Sequence, residues 1–424
     1  MKTILLFGAG KSATVLIDYL IVLAEKNKWK CIIADSNKDQ ILSKTNHSPF
    51  VEAVQADINN EEQRGRLIER SHVVISMMPP SLHFLIAKDC VEYRKHLLTA
   101  SYLDGKMKSL EDEIGSRKLL FLCEMGLDPG IDHMSAMKII DSIKEKGGVI
   151  TSFKSHCGGL VAPESDDNPW RYKISWNPRN VVLAGNSGAV YKVNNDVKKI
   201  DYKDLFNTAN KVMVKGLDDA LAYYPNRDSL GYIPIYKLTE AATFMRTTLR
   251  YPVYFEGWNA MVHAGLTDDL EKIKTAGLTY AQWARPVMPF VNKQNEKLLE
   301  YLGLFDTNMV PTAANTSADI LQYLLETKLP MHPLDKDMIV MLHEFEYVLN
   351  NCNHTINSSL VVKGQDGLRT AMAKTVGLPL GIAAKLILED KIKLKGLHIP
   401  IKKEIYEPVL KELEMQGIAF TESE

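Results

Sequence analysis

Cysteine is scarce in this chain, and an excess of charge of one sign is missing altogether. Five cysteines in 424 residues (Cys31, Cys90, Cys123, Cys157 and Cys352) are scattered, odd in number and never spaced as CxxC. That pattern argues against a disulfide framework and against a structural zinc site. Lysine and arginine number 51 against 52 aspartates and glutamates, for a net charge of −1, so no field of one sign is present to track a nucleic-acid backbone. No run approaches the ~18 to 20 apolar residues expected of a bilayer span. The amino terminus goes straight into a strand-like run, without the basic and then apolar pattern of a signal segment. The eleven histidines form no HExxH or other metal spacing, and there is no GxSxG turn. The nearest histidine motif, His343-Glu344-Phe345-Glu346, reads as the solvated side of a helix. These absences lead us to expect a cytoplasmic protein with no metal, no membrane span and no nucleic-acid partner.

What is present is ordinary globular material: 46% hydrophobic, 24% charged and 8% aromatic residues, in a length that predicts two or three domains. Through the first 125 residues, apolar runs of strand length recur without alternation: Ile4 to Phe7, Cys31 to Ala34, Val73 to Met77, Leu97 to Ala100 and Leu119 to Leu122. Strands buried on both faces of a parallel sheet look this way. Between the first two runs Val15, Leu16, Tyr19, Leu20 and Leu23 repeat at helical spacing. Strand, helix, strand in repetition predicts a doubly wound α/β sheet.

The turn after the first run, Gly8-Ala9-Gly10-Lys11-Ser12-Ala13, is a GxGxxA. Its first glycine permits a tight turn, its second lets the backbone approach a pyrophosphate, and the small third residue lets the helix pack close to the strand. The helix amino terminus then offers N–H groups to the phosphates. Asp35 closes the second run, where a carboxylate accepts from the ribose hydroxyls and repels a 2′-phosphate, so NAD is favoured over NADP, with Lys38 as a partial counterweight. Asp57 follows a third short run on the adenine side, and Ser76 ends the fourth, at the carboxyl edge where ligands of such sheets sit.

The composition shifts near residue 124. Glu124 to His133 packs two glycines, a proline and two aspartates into a loop leading to a helix, with Asp132 or a neighbour placed to cap it. Further on, Arg246 and Arg250 share a face in either a strand or a helix. With Arg171, Lys173 and Arg227 they are candidates for a carboxylate pocket, because guanidinium groups bind carboxylates through two hydrogen bonds. From about Asp268 to Leu349 the apolar spacing is helical, including Met338, Met341, Leu342 and Phe345.

Several of these segments carry a resemblance. Gly126-Leu127-Asp128-Pro129-Gly130-Ile131-Asp132-His133 resembles the GLDPGxDH of the saccharopine reductases, the glutamate-forming saccharopine dehydrogenases. So do Cys157-Gly158-Gly159-Leu160, Asn226-Arg227-Asp228-Ser229, Thr247-Thr248-Leu249-Arg250-Tyr251 and Ala373-Lys374-Thr375-Val376-Gly377-Leu378-Pro379. The resemblance implies a Rossmann domain over 1–125, completed by 392–424. It further implies an α/β substrate domain over 126–265 and 350–391, a helical domain over 266–349, and a homodimer. The implied chemistry is the reversible NAD(P)-dependent oxidation of saccharopine to glutamate and 2-aminoadipate 6-semialdehyde, in lysine metabolism.

Carried over residue by residue, Ser101 and Tyr102 match the place where nicotinamide and substrate meet. Asp128 and Cys157 match polar groups of the reaction centre and, with Tyr102, are the candidate proton-relaying residues. Arg227, Thr248, Leu249 and Arg250 match saccharopine contacts. Leu127 and Trp176 join Gly8, Gly10, Lys11, Ser12, Ala13, Asp35, Asp57, Ser76 and Ser101 as candidate cofactor contacts. Fungal members that prefer NADP tend to carry a basic residue near the position of Asp35, so cofactor choice here need not follow theirs. Two other readings stand beside this one. A related imine-reducing enzyme, such as a carboxynorspermidine dehydrogenase, binds an amine where saccharopine has a carboxylate and wants acids in the pocket. A non-catalytic NAD-binding sensor needs the glycine turn but not the loops around Asp128, Cys157 and Arg250.

Overall fold

The computed structural model describes residues 1–207, 210–288 and 293–424. It divides into two units, Met1–Ser142 with Leu368–Ala419, and Ile143–Gly367 with Phe420–Glu424. The first unit opens with β1 (Thr3–Phe7), β2 (Lys30–Asp35), β3 (Val51–Gln55), β4 (Val73–Ser76), β5 (His96–Thr99) and β6 (Leu120–Leu122). The second holds β7 (Val149–Val161), β8 (Ala189–Val193), β9 (Asp196–Ile200), β10 (Lys211–Val212), β11 (Leu221–Pro225), β12 (Arg227–Asp228), β13 (Thr243–Arg250), β14 (Asp337–Leu349) and β15 (Cys352–Lys363). The chain then returns to the first unit for β16 (Gly396–His398) and to the second for β17 (Thr421–Ser423).

In the first unit the five expected apolar runs all form strands, and the sheet runs β16-β6-β5-β4-β1-β2-β3, with every pairing parallel. Strand order reverses between β1 and β4, and ligands of doubly wound sheets sit beyond the carboxyl ends of the strands at that reversal. Every residue of β1 is buried, as a central parallel strand covered on both faces requires. Among the described residues one helix, Ala371–Leu388, is long and apolar enough to cross a membrane, with mean hydropathy 1.5 over 18 residues. Lys374 and Lys385 interrupt it, so it is not an unbroken apolar run. The helix is 83% buried, and its Gly377 and Gly381 lie flush against Leu16 and Tyr19 of helix Thr14–Asn27. It thereby braces the helix that follows the glycine turn.

The second unit is built on a mixed sheet, β10-β11-β13-β7-β14-β15-β17, with β8, β9 and β12 branching from it. β7 and β13 run parallel, and Cys157 registers with Thr248. A methyl group at Gly158 would lie 2.5 Å from the Leu249 carbonyl oxygen, so this strand pair closes only around a glycine there.

The helical reading of 266–349 holds for Tyr280–Ala284, Lys293–Leu302 and Ser317–Lys328 but fails for the last segment. Asp337–Leu349 is β14, antiparallel to both β7 and β15. Its first seven residues are all buried. A strand covered on both faces has no alternation, and Met338, Met341, Leu342 and Phe345 imitate a helical stripe by chance. His343 is accordingly buried in a strand and not on a solvated helix. The division of the chain also differs from the expected boundaries. β14 belongs to the second sheet, while Ala371–Leu388 packs in the first unit.

Candidate functional site

The glycine turn lies at the strand-order reversal. Gly8 has φ of 95°, and a methyl group there would sit 3.0 Å from the Met77 carbonyl oxygen, so both conformation and space demand glycine. A methyl at Gly10 would meet nothing within 4 Å: the backbone opens there onto free space. Lys11–Ala13 forms a 3-10 turn before helix Thr14–Asn27. Among the described residues the N–H groups of Gly10, Lys11 and Ser12 find no acceptor. Three free amides ahead of a helix fit an anion such as a pyrophosphate.

Asp35 ends β2, and its Oδ2 accepts from the Ala9 N–H at 2.7 Å. Lys44, which sequence reasoning missed, donates from Nζ to the carbonyls of Ala9 and Gly10, at 2.7 Å each. Burial pushes its pKa down to about 8, against the opposing pull of Asp35 and Asp18. Asp57 is exposed and accepts from the Asn59 N–H at 2.9 Å, capping its own turn.

A second cluster gathers past β4 and β5. His83, also missed, places Nδ1 2.8 Å from Ser76 Oγ and Nε2 2.8 Å from Ser101 Oγ, with Thr99 Oγ1 at 3.2 Å. It is 5% exposed, and burial lowers its pKa to about 4, so the ring is neutral at physiological pH. The neighbouring loop is pinned by Glu124, at a left-handed φ of 57°. Its N–H donates to the Ser101 carbonyl at 3.0 Å, its Oε1 accepts from the Leu103 N–H at 3.0 Å, and its Oε2 lies 2.8 Å from His133 Nε2. Within this frame the Tyr102 hydroxyl donates to Asp128 Oδ1 at 3.4 Å. Leu127 is buried beside them, and Asp132, the second residue of helix Ile131–Glu145, accepts from the Gly130 N–H just ahead of that helix at 2.6 Å.

In the second unit Thr248, Arg250 and Arg227 converge on Tyr224, a residue not singled out from sequence. Burial raises the Tyr224 phenol, while Arg250, a hydrogen bond with Thr248 and Arg227 pull it back. Arg250 is 4% exposed and lies over the rings of Tyr172 and Tyr254, at 5.3 and 5.6 Å. Its Nη1 donates to the Leu249 carbonyl at 2.7 Å, yet its buried Nε has no partner, and among the described residues no carboxylate pairs with it. Cys157 is buried beside Thr248. Trp176 donates to the Tyr172 hydroxyl at 3.4 Å.

The remaining candidates are placed otherwise. The Leu249 side chain is core, packed with Leu160, Val340 and Leu342, which leaves no surface for a substrate. Lys173 is committed to Asp167 and Asp335 at 2.8 and 2.7 Å, and Arg171 to Asp166 and Asp219 at 2.5 and 2.9 Å. These two cations are neutralised by the fold and drop out of the carboxylate pocket. Arg246 is buried over the Tyr232 ring at 4.4 Å, and Arg227 is exposed at a left-handed φ of 54°. His156, whose pKa burial lowers against the pull of Glu344, bridges Thr247 and Glu344 at 2.7 and 2.8 Å. Nothing in the sequence flagged that bridge, because its three members are 91 and 188 residues apart.

Comparison with known proteins places this geometry in a family. Residues 4–121 match the saccharopine dehydrogenase NADP binding domain, and residues 126–418 match the saccharopine dehydrogenase C-terminal domain. The chain is 35% identical to the alpha-aminoadipic semialdehyde synthases of Arabidopsis thaliana and Mus musculus, covering 88% and 99% of this chain. It spans under half the length of those two relatives, 38% and 47%. It is 32% identical to the saccharopine dehydrogenase [NADP(+), L-glutamate-forming] of Saccharomyces cerevisiae, over 97% of this chain and 96% of that one. The solved apo structure of the yeast saccharopine dehydrogenase (L-Glu forming) superposes with a TM-score of 0.90 at 31% identity, covering 100% of this chain and 99% of that one. The domain description and the yeast name both speak of NADP and lend no support to the expected preference for NAD. With both domains matched in order and nearly the whole chain covered, the chain belongs to the saccharopine dehydrogenase family.

Proposed function

We propose that this chain is an L-glutamate-forming saccharopine dehydrogenase. The observation that carries the reading is Arg250, a buried cation with an unpartnered Nε and no carboxylate of its own. Burying a guanidinium unpaired is costly, and a multiply acidic substrate supplies the missing counter-charge. Thr248, Tyr224 and Arg227 add donors around it. An enzyme for a cationic polyamine adduct would place carboxylates there instead.

The free amides of Gly10, Lys11 and Ser12 hold the pyrophosphate, and the Ser76 and Ser101 hydroxyls serve the nicotinamide end. Bound NAD(P) supplies the acceptor for a hydride leaving the substrate carbon next to the secondary amine. Water then adds to the resulting imine of the substrate, and the carbinolamine collapses to the aldehyde and the amine of glutamate. Tyr102 and Asp128, joined at 3.4 Å, move the protons of these two steps, with Cys157 as a further polar contact. Orientation of the reacting carbon by the carboxylate contacts contributes up to ~7 to 11 kcal/mol. Within this reading Asp35 favours NAD, since its carboxylate repels a 2′-phosphate.

The test is an absorbance assay for reduced dinucleotide with saccharopine and either NAD or NADP. Product with saccharopine and none with a polyamine adduct supports the reading; no product from saccharopine with either dinucleotide rejects it.

A further inference from the structure

The carbonyl and N–H of a trans peptide unit point in opposite directions. The Ala9 carbonyl shares its unit with the Gly10 N–H, and the Gly10 carbonyl shares its unit with the Lys11 N–H. Both carbonyls accept from Lys44 Nζ. The two amides therefore face away from the ammonium, and they are two of the three that find no acceptor. The Ala9 N–H is turned the other way and held by Asp35 at 2.7 Å. One lysine thus grips both peptide units, the Gly10 carbonyl accepting also from the Ala13 N–H at 3.1 Å.

We propose that Lys44 is a positioning residue for the dinucleotide: by gripping the carbonyls of Ala9 and Gly10 it aims the Gly10 and Lys11 amides at the pyrophosphate. This rests on the reading of the first unit as dinucleotide-binding. Charge-assisted bonds to the two carbonyls fix the peptide planes and polarise their N–H groups, making them better donors. The charged groups facing Lys44 are Asp35 at the end of β2 and Asp18 on helix Thr14–Asn27, the latter itself paired with Arg369 at 2.9 Å. Both favour the ammonium, and burial opposes it, leaving the pKa about 8. A pyrophosphate adds negative charge and favours the ammonium further. Binding near pH 8 is then accompanied by proton uptake, and affinity falls by up to about tenfold per pH unit as pH rises through that value.

The experiment titrates NADH and NADPH separately into the full chain and takes the tighter binder, followed by fluorescence from pH 7 to 9 and by calorimetry at pH 8 in two buffers of different ionisation enthalpy. Wild type is expected to weaken above pH 8 and to take up a proton. Lys44→Met is expected to bind about ten- to a hundredfold more weakly at pH 7 and to take up none. Lys44→Arg is expected to keep the affinity with a flat profile. Wild-type affinity in Lys44→Met, or a wild-type profile that is flat from pH 7 to 9, overturns the proposal. If Lys44→Met fails to fold, the wild-type profile and Lys44→Arg decide it alone. A wild type that binds neither NADH nor NADPH rejects the dinucleotide reading itself, and this proposal with it.

Discussion

The Nε2 of His83 lies 2.8 Å from the Ser101 hydroxyl oxygen, and the opposite ring nitrogen lies equally close to Ser76. One buried imidazole therefore orients two side chains at the ends of adjacent strands. Being neutral, the ring carries one proton, so it donates to one hydroxyl and accepts from the other.

Stability should register this neutrality. A pKa of about 4, below the ordinary value of 6.5, means that the unfolded chain binds the proton more readily. The contribution is present in full above about pH 6.5 and is lost as pH falls towards 4, a change of roughly 3 kcal/mol. Urea unfolding at pH 7 and pH 4.5 measures it, and His83→Gln should lessen the dependence. His96, lowered to about 4 by burial and Lys395, and His156, His72 and His398, each lowered by burial, contribute to what remains. A dependence unaltered in His83→Gln would contradict the assignment.

For Tyr102 and Asp128, proposed to relay protons, Asp128→Asn should lower kcat by about 10²-fold while leaving the KM for the dinucleotide unchanged. Tyr102→Phe should cost less, because its bond to Asp128 is long at 3.4 Å. If the two act as a unit, the double variant is hardly slower than Asp128→Asn alone. Additive losses would show that they act separately.

Arg250 and Lys173 should behave in opposite ways. Arg250→Met leaves no carboxylate stranded, so unfolding free energy should change by about 1 kcal/mol or less while the KM for saccharopine rises about 10²-fold. Lys173→Met strands Asp335, which pairs with an ammonium only 3% exposed. It should destabilise by about 3 kcal/mol and leave the KM nearly unmoved. Thermal unfolding and steady-state kinetics on both variants separate the two roles; a raised KM in Lys173→Met would return that lysine to the substrate pocket.

Asp35→Ala should shift the ratio of kcat/KM with NAD to that with NADP towards NADP, by about tenfold. Removing the carboxylate also frees the Ala9 N–H that it holds. Both dinucleotides should therefore bind somewhat more weakly, and the ratio, rather than either value alone, reports on the ribose. A ratio that does not move removes Asp35 from cofactor choice.

Much of this protein is legible in its order of residues. Parallel strands buried on both faces announce themselves as unbroken apolar runs, and a glycine turn after the first of them marks the proposed phosphate site, because these signals are local. The Glu124-to-His133 loop is legible for the same reason, whereas Arg246 and Arg250 share a face in either a strand or a helix, and only the pairing of Thr243–Arg250 with β7 and β11 makes it a strand. β14 was misread because a strand covered on both faces carries the same apolar density as a buried helix, and only its pairing with β7 and β15 decides between them.

The fate of each charge was likewise settled in three dimensions. Arg171, Lys173 and Arg250 look alike along the chain. Folding brings carboxylates to the first two and only aromatic rings and one carbonyl to the third. His83, Lys44 and Tyr224 belong to no motif and matter because of what the fold sets against them. Residue type and local pattern determined the strands, the turn and the candidate loops. Which cation is left without a partner, and which neutral ring bridges two strands, follows from long-range packing, since pairing and desolvation depend on neighbours that sequence distance does not reveal.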